Sequence, residues 1–209
     1  MDAETDTDTA SGADTDTGLP SAADEALRRE MAERYRAVAA GMTARGEAVP
    51  ADRWDAPAPC EGWVARDVVD HLVGWLPAFY CRSFGVAEPD LPSAEADPVA
   101  AWTALDDFLR SSIDDPVVAS SRGRSPLGDT FAGAFHAAVS DVLVHTWDLA
   151  RATGLDEHLD EAEVHRQVSH LEEMPFDAMV DSGHYGERIP VPADADEQTR
   201  LLAALGRTA

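Results

Sequence analysis

Four separate stretches of this chain place apolar residues at steps of three and four, and no stretch alternates convincingly with a period of two. Such spacing commits a chain to helices that each bury one face against the others. The first stretch carries Leu27, Met31, Tyr35, Val38 and Met42, with Ser21 placed to cap it and Gly46 to end it. The second starts near Trp63 and carries Val64, Val68, His71, Leu72, Trp75 and Phe79. Pro77 cannot donate to the carbonyl of Val73, so this helix is expected to kink or break there. The third presents Trp102, Leu105, Phe108, Leu109 and Ile113. The fourth is expected from about Thr130 to Ala152, with Asp129 as its cap and Gly154 as its stop; Phe131, Phe135, Ala138, Val142 and Leu149 are its apolar positions. A short helix over 160–174, an extended "ERIPVPADAD" and a last short helix with Leu201, Leu202 and Leu205 follow. The expected architecture is an all-α, up-and-down four-helix bundle over residues 21–209, with a short C-terminal extension. Residues 1–20, "MDAETDTDTASGADTDTGLP", have too little apolar surface to offset their ordering entropy and are read as a disordered acidic tail.

Charge removes several functions. The 209 residues hold 40 acids against 16 bases, a net charge of −24, and every base is arginine. With no lysine there is no P-loop lysine and no Schiff base. An acidic surface of this kind repels phosphate backbones and anionic membranes, so neither nucleic acid nor membrane is an expected partner. No apolar run approaches the roughly 20 residues that span a bilayer, and the N-terminus lacks the basic and apolar regions of a secretory signal. Two cysteines, Cys60 and Cys81, make no disulfide framework, and a cytoplasmic location is expected.

The chemistry-bearing residues lie on two of the helices. His71, in "VVDHLVGW", falls on the apolar stripe of the second. On the fourth, Asp141 and His145 are four apart and project from one side. In a bundle core these three can share a cation, which would remove the cost of burying an unpaired carboxylate. The competing reading is a core histidine on one helix and a solvated Asp–His pair on the other. Asp67, four before His71, repeats the same spacing and can join or replace Asp141. Asp148 can orient His145 or pair with Arg151. Cys60 lies before a helix, whose dipole lowers a thiol pKa, or is simply a free buried thiol. His136, His158, His165, His170 and His184 are expected on the surface; Arg122 and Arg124 can guide an anion or merely face water.

The segment "WDAPAPCEGWVARDVVDHLVGW" resembles a characteristic motif of the actinobacterial DinB-like metal-binding proteins, relatives of the N-terminal domain of mycothiol-dependent maleylpyruvate isomerase. "VLVHTWDLARATG" and "IPVPADADEQTRLLAALGR" resemble the same family, in the same order, over roughly 22–207. The resemblance implies a DinB/YfiT-like four-helix bundle with a divalent metal in its core. The family's helix-two histidine falls on His71, and its acidic-or-His-xxx-His pair falls on Asp141 and His145. Asp141 is shorter than the glutamate or histidine often found there. The isomerase has a further C-terminal domain that helps form its substrate site; this sequence ends after the bundle, so maleylpyruvate isomerisation itself is not expected.

Three ligands of this type leave a coordination position open, as in catalytic sites. Zn²⁺ suits imidazole with carboxylate best, with Ni²⁺, Fe²⁺ and Mn²⁺ as alternatives. A metal-bound thiol is deprotonated at neutral pH. The function expected from the resemblance is a metal- and thiol-dependent S-transferase or isomerase, with mycothiol or a similar small thiol acting on a small electrophile. The alternatives are a non-catalytic metal-binding module, serving as sensor or small-ligand carrier, and a purely structural bundle. A homodimer is the default assembly.

Overall fold

The computed structural model describes residues 20–173 and 188–208. Among these, the helices are α1 (Ala22–Ala48), α2 (Ala65–Phe84), α3 (Pro98–Asp114), α4 (Pro116–Ala119), α5 (Phe131–Ala134), α6 (His136–Thr153), α7 (Glu161–Glu173) and α8 (Glu197–Ala204). The tail expected to be disordered, apart from Pro20, and His184 lie outside the described residues.

The all-α, DinB-like bundle is the architecture found. α1 packs on α3 and α6, and α2 packs on the same two, so four helices close a ring. Their apolar stripes supply the core: Tyr35, Leu72, Leu76, Leu105, Leu109, Phe131, Phe135 and Leu143 are all essentially without exposed surface. α6 is enclosed on nearly every side, and even His145, Thr146 and Asp148 are buried. A helix enclosed all round must satisfy its polar groups within the protein.

Local signals set the ends of several helices. The Ser21 hydroxyl accepts from the Asp24 N–H, and the Asp24 carboxylate accepts from the Ser21 N–H, a reciprocal cap. Asp67 accepts from the Val64 N–H at 2.8 Å and so closes the start of α2. Gly154 ends α6 with φ 75°, as its position after the apolar run indicates.

Three expectations need correction. α2 is not broken at Pro77 but runs through it to Phe84. The lost hydrogen bond is outweighed by burial of Leu76, Tyr80 and Phe84 on the same stripe. The fourth helix is not one piece: α5 and α6 are separated at Phe135. Its cap is Thr130, whose hydroxyl accepts from the Gly133 N–H, not Asp129. The reason is a short antiparallel bridge between Arg122 and Thr130, with Thr130 in extended backbone; Gly123 N–H donates to the Asp129 carbonyl.

α7 and α8 pack on each other beside the bundle. α7 is tied to α1 by a two-pronged pair between Arg34 and Glu163, at 2.8 and 3.0 Å, with Glu163 buried. No helix among the described residues is long and apolar enough to cross a membrane.

Candidate functional site

α2 and α6 bring His71, Asp141 and His145 together. The contact of the two helices decides this, because 70 residues separate His71 from Asp141 in the chain. His71 Nε2 is 3.4 Å from Asp141 Oδ2, and His145 Nε2 is 3.4 Å from Asp141 Oδ1. One ligand atom from each lies within 4.8 Å of the others. The cluster is graded in depth: the His145 side chain is 6% exposed, Asp141 24% and His71 32%. It therefore reaches solvent on the His71 side.

Two tryptophans complete the setting. Trp75, one turn after His71, donates its Nε1–H to Asp141 Oδ2 at 2.7 Å. Trp63 stacks on the His145 ring, with centroids 5.9 Å apart and planes inclined by 17°, and also contacts His71 at 5.1 Å. Burial pushes the Asp141 carboxyl upward, but His145, His71 and the Trp75 N–H together outweigh it and hold Asp141 below its ordinary range.

Behind His145 is a second polar layer. Its Nδ1 is 2.9 Å from Asp148 Oδ2, though the approach is not along a hydrogen-bond axis. Asp148 has no exposed surface and is held by Arg207, whose Nη2 is 2.8 Å from Oδ2 and whose Nε is 3.3 Å from Oδ1. Burial raises the Asp148 carboxyl, and His145 with Arg207 more than reverses that. Arg207 arrives from just past α8: Gly206, at φ 80°, turns the chain back, and the Arg207 N–H donates to the Leu202 carbonyl. Cys60 completes this layer, its Sγ 3.6 Å from Asp148 Oδ2.

Several open choices are thereby decided. Asp148 faces His145, while Arg151 pairs with Glu157 instead. Asp67 is spent as the cap of α2. Cys60 is half-buried, and its thiol is pushed up to about 11 by burial and by Asp148, the opposite of a dipole-activated cysteine. Arg122 and Arg124 are exposed. His158 and His165 are on the surface as expected, but His136 is half-buried, its Nδ1–H donated to the Gly133 carbonyl at 2.9 Å.

Trp63, Trp75 and Arg207 were not legible as members of the site. The tryptophans read only as apolar residues flanking His71, and Arg207 as the end of a tail. The one signal for Arg207 was the Gly206 that precedes it, which announces a turn without saying toward what.

Comparison with known proteins points the same way. A family model described as the mycothiol maleylpyruvate isomerase N-terminal domain matches residues 35–80, a span that includes His71 and both site-facing tryptophans. Uncharacterized protein Rv0738 of Mycobacterium tuberculosis (strain ATCC 25618 / H37Rv) is 31% identical over 165 residues, covering 77% of this chain and 88% of the relative. Uncharacterized protein MT0763 of the CDC 1551 / Oshkosh strain matches to the same extent. No solved structure matches significantly.

Proposed function

The chain belongs to the mycothiol maleylpyruvate isomerase N-terminal domain family, and on that premise we propose that it binds a divalent metal ion through His71, Asp141 and His145 and serves as a metal- and thiol-dependent S-transferase or isomerase. The thiol is of the mycothiol type, and the second substrate is a small electrophile.

The observation that carries this reading is the spacing of the three donors. An imidazole–carboxylate pair joined by a charge-assisted hydrogen bond closes to about 2.7–2.9 Å. Both His–Asp distances are 3.4 Å, longer than that and one to each carboxylate oxygen, so the two imidazoles flank Asp141 as fellow ligands would rather than as hydrogen-bonded partners. The donor set of two imidazoles and a carboxylate suits Zn²⁺ first, with Ni²⁺, Fe²⁺ or Mn²⁺ as alternatives.

The surrounding residues have definable tasks. Trp75 fixes the Asp141 carboxylate through Oδ2. Asp148 keeps a negative charge beside His145 Nδ1, which favours the proton on that nitrogen and leaves the Nε2 lone pair for an ion. Trp63 covers both imidazoles on one side and limits water there. A bound ion would supply Lewis acidity, which makes a thiol acidic at neutral pH. The solvent-reaching edge of His71 is where such a thiol would enter.

The alternative is a metal-binding module without turnover, a sensor or small-ligand carrier. The deciding experiment is metal content per chain by plasma mass spectrometry, on untagged wild type and His71→Ala, followed by assay with mycothiol and a panel of electrophiles. About one equivalent in the wild type, lost in the variant, supports the site. Thiol-dependent turnover then selects the enzyme, and its absence the module. No metal in either protein after reconstitution with Zn²⁺ or Ni²⁺ overturns both.

A further inference from the structure

His145 offers two ring nitrogens, and each has its own company. Nε2 faces Asp141 and His71; Nδ1 faces Asp148 and Cys60. The second group falls within the same bound as the first: ligand atoms of Cys60, His145 and Asp148 all lie within 4.8 Å of one another. It is also deeper, since His145 is 4% exposed and Asp148 has no exposed surface. Within it, Nδ1 is a buried polar atom without a directed hydrogen bond, despite its nearness to Asp148. Buried polar atoms are rarely left so, and one set between a thiol and a carboxylate is a ready metal donor.

What occupies that place is a cation of the chain itself. Arg207 Nη2 lies 2.8 Å from Asp148 Oδ2 and 3.7 Å from Cys60 Sγ.

A neutral imidazole has one lone pair to give, so an ion on Nε2 leaves the proton on Nδ1, and the reverse. The two donor groups therefore compete for one histidine. We propose that Cys60, His145 Nδ1 and Asp148 form a second, competing site for a thiophilic divalent ion, and that Arg207 closes it by placing its guanidinium there, directing the ion to the Nε2 side. This inference rests on the reading that His71, Asp141 and His145 hold an ion. Nothing is oxidised or reduced when the second site fills: the guanidinium leaves Asp148, and the Cys60 S–H proton passes to solvent as the metal–sulfur bond forms. Arg207 has room to withdraw, because it borders a cleft of about 330 Å³ lined also by Pro57, Pro59, Arg151 and Thr208.

Cobalt(II) titration reads this directly, since a thiolate-to-cobalt band appears in the near ultraviolet only when sulfur coordinates. The wild type is expected to show no such band at one equivalent. Arg207→Met is expected to show it, with Cys60 then protected by cobalt from alkylation by iodoacetamide. Arg207→Met combined with Cys60→Ser is expected to lose it, which excludes Cys81 as its source. Arg207→Gln repeats the test should the methionine variant fail to fold by circular dichroism. A sulfur band in the wild type at one equivalent, or its absence from the folded Arg207 variants, overturns the proposal. Failure of the underlying reading looks different: His71→Ala would then bind cobalt as well as the wild type, with no sulfur band. If both readings hold, His71→Ala loses the ion, and adding Arg207→Met restores binding with the band.

Discussion

His145 and Asp148, three residues apart on α6, face each other at 2.9 Å with the carboxylate wholly buried and Arg207 meeting the same carboxylate oxygen at 2.8 Å. A histidine, a carboxylate and an arginine thus join the bundle's core to its C-terminal segment. Asp148 is the member that both of the others share.

Removing the shared member tests the arrangement. Asp148→Ala strands the Arg207 guanidinium, whose side chain is 16% exposed, without its counter-charge. Breaking a buried pair from one side costs about 3–5 kcal/mol. Urea denaturation of the two proteins without added metal is expected to show a loss of that size. A difference under about 0.5 kcal/mol, the usual effect of a surface substitution, would mean that these contacts carry no stability.

Trp75→Phe keeps a ring on the face of α2 but removes the N–H that Asp141 accepts. Loss of an outer partner of a metal ligand commonly costs about 10–100-fold in affinity. Competitive titration of Zn²⁺ against a chromophoric chelator is expected to show at least tenfold weaker binding, with a change in folding stability of only about 1 kcal/mol. Equal affinity in the two proteins would show that Trp75 does not set the carboxylate.

An ion that binds only the folded chain raises its stability by about 2.7 kcal/mol when free ion is 100 times Kd. Chelation should therefore lower the thermal midpoint of the wild type, and readdition of Zn²⁺ should restore it. His71→Ala should melt at the same temperature with and without ion. A midpoint indifferent to chelator in the metal-loaded wild type would count against the site.

His136 gives the bundle a sensitivity to mild acid. Burial lowers its pKa from the ordinary 6.5; the Gly133 carbonyl opposes that shift, while His170 and Arg34 add to it. As pH falls, the unfolded chain takes up this proton first. The stability is therefore intact above about pH 6.5, declines below it, and levels off once pH passes the lower folded pKa. His136→Gln should flatten the decline between pH 6.5 and the acid limb caused by carboxylates. An unchanged slope in the variant would assign the decline to other groups.

The helices and half of the site could be read residue by residue. Steps of three and four marked every long helix, and Ser21 and Gly154 marked two of their ends, because helix period and caps act over a few neighbouring residues. Asp141 and His145 were legible as a pair for the same reason, being one turn apart. Pro77 did not break its helix, since the cost of a proline is local while its compensation, the burial of Leu76, Tyr80 and Phe84, comes from the whole bundle. Asp129 misled because a bridge to Arg122 moved the cap to Thr130.

The sequence by itself determined where the long helices run, which of their faces are apolar, and that an imidazole and a carboxylate stand one turn apart on the fourth run. Tertiary structure decided their company. Cys60 and Asp148 are 88 positions apart, Asp148 and Arg207 59, and Trp75 and Asp141 66. No periodicity reaches across such distances. Only the packing of α2 on α6, and the turn at Gly206 after α8, give His145 its two different sides, because side chains far apart in the chain meet only where the burial of apolar faces brings their helices into contact.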